Sequence, residues 1–165
     1  MQPLNEPPVV SVVGWSNSGK TTFMVQLVRE LKWRGYRVGT VKHHHGDMQF
    51  DKPGKDTWQY ARAGADIISL AGQSGYWVYK KIENPGLSEI LGLMKEMDIV
   101  ITEGFKSEKT PKIEVRRYGQ TSKPAVYSGE LLALVDEDAD EDNVPCFSPG
   151  DYKAVADFLE KTFLK

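Results

Sequence analysis

Nine consecutive residues, Gly14-Trp15-Ser16-Asn17-Ser18-Gly19-Lys20-Thr21-Thr22, carry the spacing G-x-x-x-x-G-K-[ST]. Those residue types suit the grip of a nucleoside triphosphate with Mg²⁺. Glycine lets the backbone approach a phosphate with no side chain in the way. Successive N–H groups and the positive end of a following helix then form an anion nest. A lysine at position 20 can reach the β- and γ-phosphates, and the Thr21 hydroxyl can ligate Mg²⁺. Gly14, Ser16, Asn17, Ser18, Gly19, Lys20, Thr21 and Thr22 are therefore the candidate nucleotide contacts.

A metal held this way needs an acid at the carboxyl end of a neighbouring strand. Asp98-Ile99-Val100-Ile101-Thr102-Glu103-Gly104 offers one at each end of an apolar run. At about 3.3 Å per strand residue the two carboxylates lie too far apart to serve one ion. Ligands gather at the carboxyl edge of such sheets, which favours Glu103 and leaves Asp98 a flanking role. A second acid, Asp51, lies in the loop Lys42-His43-His44-His45-Gly46-Asp47-Met48-Gln49-Phe50-Asp51-Lys52-Pro53-Gly54-Lys55-Asp56. Asp51 could orient a metal-bound or attacking water, and Lys42, Lys52 or Lys55 could offset charge on a γ-phosphate. The catalytic candidates are Asp51 and Glu103, and the metal candidates are Thr21, Glu103 and Asp51. In an extended chain His43 and His45 share a face, and two ligands do not make a zinc site. Contact with an anion or a partner, and plain solvation, fit these histidines equally.

The elements that must position these groups follow from pattern. Val9-Val10-Ser11-Val12-Val13 reads as a buried central strand. Thr21 to about Arg34 reads as a helix with Phe23, Leu27 and Leu31 on one face and Gly35 as its stop. A second strand over Arg37–Lys42 makes a parallel crossover with the first. Asp56 is expected to cap a helix ending at Gly64. Ile67–Ala71 and Tyr76–Lys80 are expected to form an antiparallel hairpin. The Leu87–Met97 periodicity predicts a helix, Ile113–Arg117 and Leu131–Val135 predict strands, and Asp136–Asp142 an acidic loop. Ser148 and Pro149 are expected to open a last helix as cap and first turn. The predicted fold class is α/β, a three-layer P-loop NTPase fold whose sheet is mostly parallel with some antiparallel strands and flanking helices.

The 165 residues suit a single nucleotide-binding domain, with residues 1–8 as a flexible N-terminal arm. Twenty-one basic against 23 acidic residues give a net charge of -2, which argues against charge-driven nucleic-acid binding. The one cysteine forbids an internal disulfide and suits a reducing compartment. Met1 to Pro8 lacks an apolar core, so no signal peptide is expected, and no apolar run is long enough to span a membrane. These features together predict a cytoplasmic protein. No Asn-Lys-x-Asp or Thr-Lys-x-Asp motif is present to choose the base.

Read together, Gly14-x-x-Asn17-Ser18-Gly19-Lys20-Thr21-Thr22, Lys42-His43-x-His45, Asp47-x-x-x-Asp51-Lys52-Pro53-Gly54-Lys55-Asp56, Ala63-Gly64-Ala65 and Glu103-Gly104-Phe105-Lys106 resemble the molybdopterin-guanine dinucleotide biosynthesis B (MobB) family. The resemblance runs from about Val9 to Arg117. It implies a homodimeric protein that binds GTP with Mg²⁺ and hydrolyses it slowly. It further implies an accessory role beside the guanylyltransferase MobA, which joins GMP to molybdopterin. Lys42, His43, His45, Lys52, Lys55 and Lys106 are then contacts for the partner or for the phosphorylated pterin of the molybdenum cofactor. A small-molecule kinase built on the same core is the other reading of these motifs, with Glu103 or Asp51 as its base.

Overall fold

A computed structural model of the chain describes residues 6–46, 48, 51–117, 125, 127, 129–137 and 144–164. Asp47 of the histidine loop and residues 138–142 of the acidic stretch lie outside the described residues. The chain divides into two compact units, residues 1–43 with 87–165, and residues 44–86.

The larger unit is built on a six-stranded parallel sheet. Its strands are β1 (Val9–Val13), β2 (Val38–Lys42), β5 (Ile99–Glu103), β6 (Lys112–Val115), β7 (Leu131–Val135) and β8 (Cys146–Phe147), in the order β2-β5-β1-β6-β7-β8. The smaller unit holds α2 (Asp56–Ala63) and an antiparallel hairpin of β3 (Ile67–Gly72) and β4 (Gly75–Lys80). Helices α1 (Lys20–Trp33) and α4 (Tyr152–Phe163) cover one face of the large sheet, and α3 (Leu87–Leu91) lies on the other.

Period-two alternation decides which strand residues meet which helices. Val10, Val12, Ile99, Ile101, Ile113 and Val115 join Phe23, Leu27, Leu31, Val155 and Leu159 in one buried cluster. Val41, Val100, Leu87, Leu91 and Phe105 form a second cluster with α3. Helix α1 ends as its Gly35 predicts. Gly35 sits at φ +95°, its N–H donates to the Lys32 carbonyl, and the Tyr36 N–H donates to the Leu31 carbonyl, a Schellman closure. Gly64 closes α2 in the same way.

Three local expectations change. Helix α3 is one and a half turns long, not three, because beyond Leu91 the chain turns so that Met94 and Met97 seat against Gly39 of β2. There a Cβ on Gly39 would stand 3.0 Å from the Met94 sulfur. Helix α4 starts at Tyr152, not at Pro149. Ser148-Pro149-Gly150-Asp151 is instead a turn in which the Asp151 N–H donates to the Ser148 carbonyl at 2.9 Å, as Pro-Gly chemistry favours. The position before α2 is Lys55, and Asp56 serves in the first turn, where its charge suits the helix dipole. Of residues 1–8, Pro7 is buried and the Pro8 carbonyl accepts from the Val100 N–H at 2.9 Å.

Leu27 is fully buried between α1 and the sheet. Leu27→Ala is expected to lower the free energy of unfolding by about 2–5 kcal/mol, read from the urea midpoint.

Candidate phosphate-binding site

Strand β1 delivers the glycine-rich loop. Gly14 has φ +147°, and a Cβ on it would overlap the Val115 carbonyl oxygen of β6, so only glycine lets the chain leave the strand here. Asn17 at φ +61° and Gly19 at φ +93° continue the left-handed winding, the kind of backbone from which anion nests are built. Gly19 is the residue immediately before α1. The Ser18 hydroxyl is buried with no hydrogen-bond partner among the described residues.

The Lys20 ammonium folds back over this loop and donates to the Trp15 carbonyl at 2.5 Å. Its pKa falls below the ordinary lysine value, first through desolvation and further through Lys106 and Lys42, against the opposing pull of Glu103. The Thr21 hydroxyl donates to Glu103 Oε2 at 3.1 Å. The Lys42 ammonium holds the other carboxylate oxygen at 3.2 Å. Lys42 and Glu103 are register partners at the carboxyl ends of β2 and β5. Glu103 remains 15 % exposed, and a groove of about 360 Å³ lined by Thr21, Val28, Val41 and Lys42 leads to it. A threonine hydroxyl and a carboxylate meeting at a helix N-terminus offer oxygen ligands that suit a phosphate-bound Mg²⁺, and the neighbouring lysines can offset phosphate charge. Ser16, Asn17, Thr21 and Thr22 are exposed around it.

Asp98, at the amino end of β5, is occupied elsewhere. It accepts from the Arg37 N–H at 2.7 Å and from the Arg37 guanidinium at 2.8 Å, and that guanidinium holds its pKa below the usual carboxylate range. Asp51 belongs to the smaller unit. Its carboxylate accepts from the Thr57 hydroxyl and from the Lys52 N–H, and these two bonds lower its pKa. The Lys52-Pro53-Gly54-Lys55 turn closes between the Lys55 N–H and the Lys52 carbonyl, with Gly54 at φ +91°. Lys52, Lys55, His43 and His45 are exposed, and the His43 ring lies 5.0 Å from that of Phe105.

Two features escape a reading of the motifs alone. The Lys106 ammonium sits 5.5 Å from the Trp15 ring centroid. Lys112 is fully buried, and its ammonium donates to the Phe105 carbonyl, the Glu108 carbonyl and the Thr110 hydroxyl at 3.1, 2.8 and 2.7 Å. Glu114, on the same face of β6, is equally buried and accepts from Arg116 at 3.2 Å and from the Ala125 N–H at 2.7 Å. Lysine, glutamate and arginine at alternate positions of an otherwise apolar strand are the signal that marks this polar face.

The family model described as molybdopterin guanine dinucleotide synthesis protein B matches residues 9–137. The chain belongs to the MobB family. It is 32 % identical over 159 residues to the molybdopterin-guanine dinucleotide biosynthesis adapter protein of Haemophilus influenzae, covering 94 % of this chain and 89 % of that one. With the Escherichia coli adapter protein it shares 31 % identity, covering 92 % and 91 %. The crystal structure of Bacillus subtilis MobB superposes with a TM-score of 0.75 at 26 % identity, over 94 % of this chain and 98 % of that one. The MobB homologue of Bacillus stearothermophilus gives 0.72 at 26 % identity, over 94 % and 97 %. The mostly parallel sheet with an added antiparallel pair is therefore the MobB family fold.

Burial pulls the Lys112 pKa down to about 8, with Glu108 opposing. An unfolded lysine titrates at about 10.4. Below the folded value both states are protonated and the cost of burying the charge is fully present. Between the two values the folded state has shed its proton and the unfolded state has not, so stability rises with pH. The stability of the wild type relative to Lys112→Met is expected to improve from about pH 8 to 10. Urea titrations at each pH check this, and a constant difference contradicts it.

Proposed function

We propose that this chain is a GTP- and Mg²⁺-binding accessory protein of molybdopterin-guanine dinucleotide biosynthesis. It acts in the cytoplasm as a homodimer beside the guanylyltransferase MobA. The contact between the Thr21 hydroxyl and the Glu103 carboxylate, at the mouth of a loop over which Lys20 is folded, carries the reading. Gly14, Ser16, Asn17, Ser18, Gly19 and Thr22 complete the phosphate cradle. The Ser18 hydroxyl, buried with no partner among the described residues, and the left-handed Asn17 and Gly19 fit an anion there. Thr21 and Glu103, both of the larger unit, are the residues that would hold Mg²⁺. When bound, the ion supplies charge neutralisation at the β- and γ-phosphates.

The pathway and the adapter role follow the names of the Haemophilus influenzae and Escherichia coli relatives. Guanine preference follows the family resemblance. No helix among the described residues is long and apolar enough to cross a membrane. Hydrolysis should be slow. Arg116, one of the arginines near β6 that could stabilise transferring charge, is buried against Glu114. The exposed Lys42, His43, His45, Lys52 and Lys55 offer cations and donors to the phosphorylated pterin or to MobA.

Titration with GTP, ATP and molybdopterin, with and without MobA, tests the reading directly. Lys20→Ala is expected to abolish measurable GTP affinity while leaving the thermal midpoint within a few degrees; unchanged affinity in the folded variant refutes the site. Glu103→Gln is expected to weaken Mg²⁺-dependent GTP binding by about tenfold or more, and Asp98→Asn to leave it nearly unchanged. The opposite order would move the metal site to the other end of β5.

A further inference from the structure

We propose that Lys106 is the residue by which this site prefers a triphosphate over a diphosphate, its ammonium passing from the Trp15 ring to the terminal phosphate. The inference rests on the nucleotide reading above and goes beyond it, taking Lys106 from the partner surface to the nucleotide.

Four observations support it. Lys106 follows Glu103 by three residues, and Glu103 with Thr21 marks the metal and hence the β/γ end of a bound nucleotide. Trp15, whose ring carries the Lys106 ammonium at 5.5 Å, is the second residue of the phosphate loop. Lys106 and Lys42 both act electrostatically on Lys20, so three ammonium groups gather around the Lys20 end of the loop. Such a cluster is relieved by a polyanion.

The fourth observation is the construction of the turn itself. Gly104 at φ +90° and Phe105 at φ +52° throw the chain sharply away from β5. A left-handed phenylalanine is strained and persists only where its surroundings hold it. Here the Phe105 ring is buried with Val41, Leu87, Leu91 and Val100. Its carbonyl accepts both the Glu108 N–H and the buried Lys112 ammonium, each at 3.1 Å. Solvating one lysine needs none of this; presenting it at a fixed place does. An ammonium on a half-exposed indole face is weakly held, whereas a charge-assisted bond to a phosphate oxygen is strong, so the exchange favours the nucleotide. A diphosphate lacks the terminal group and leaves Lys106 on Trp15.

Calorimetric titration of the full chain with GTP and with GDP, in Mg²⁺, tests this in the wild type, Lys106→Met and Lys106→Arg. The expected result is a roughly tenfold loss of GTP affinity in Lys106→Met, GDP affinity within about twofold, and GTP affinity largely kept in Lys106→Arg. Equal losses for GTP and GDP, no loss for either, or a loss that Lys106→Arg fails to restore overturns the proposal while the nucleotide site stands. A wild type that binds neither nucleotide overturns the nucleotide reading, and this one with it.

Discussion

The hydroxyl of Thr21 and the carboxylate of Glu103 lie 82 positions apart in sequence and 3.1 Å apart in space, and the rest of the large unit serves that meeting. It requires β5 to run beside β1, in the register that pairs Val12 with Glu103. It also requires α1 to start directly after the loop, which Gly14 permits by approaching the β6 backbone where no side chain fits. A one-residue slip of β5 would turn Glu103 to the other face of the sheet and bring a threonine or a glycine in its place. The buried Ile99 and Ile101, on the same face as Glu103, hold that register through the hydrophobic cluster around α1.

Beside the apolar cluster under α3, the opposite face of the sheet carries a buried polar patch. Ser11, Thr102 and Lys112 are fully buried. The Thr102 hydroxyl donates to Ser11 at 2.8 Å, and Ser11 pairs with Thr110 at 2.6 Å. Buried polar groups are tolerated when every one finds a partner, and then they specify one arrangement. Apart from the Thr102–Ser11 bond, the partners are Phe105, Glu108 and Thr110, in the segment that follows Glu103. The polar face therefore orders the Phe105–Thr110 turn in the way that the apolar face orders α1. Replacing it by aliphatic side chains would keep the burial and lose the anchor.

Local chemistry was legible where it depends on neighbours in sequence. The glycine-rich turn between β1 and α1, the glycine stops of α1 and α2, the two-residue hairpin and the buried strands could all be read from residue type and period. Helix α3 could not, because its periodicity continues to Met97 while packing against Gly39 breaks the helix after Leu91. The start of α4 is not fixed locally, because Ser148-Pro149 fits a helix entry and a turn equally, and Gly150 decides for the turn. Strand β8 has two residues, too short for any period to show.

The sequence by itself pointed to the kind of site proposed, because Gly14, Gly19, Lys20 and Thr21 have the spacing whose backbone geometry and reach suit a phosphate. It also favoured Glu103 over Asp98, since strand direction puts Glu103 at the carboxyl edge of the sheet, where the fold brings it to Thr21. The tertiary structure alone decided which charges surround that site. Lys42 meets Glu103 through strand pairing, Lys106 reaches Trp15 through a turn held by a buried ammonium, and Asp98 is spent on Arg37. Such contacts join residues far apart in the chain. They arise from sheet order and packing, which no local window contains.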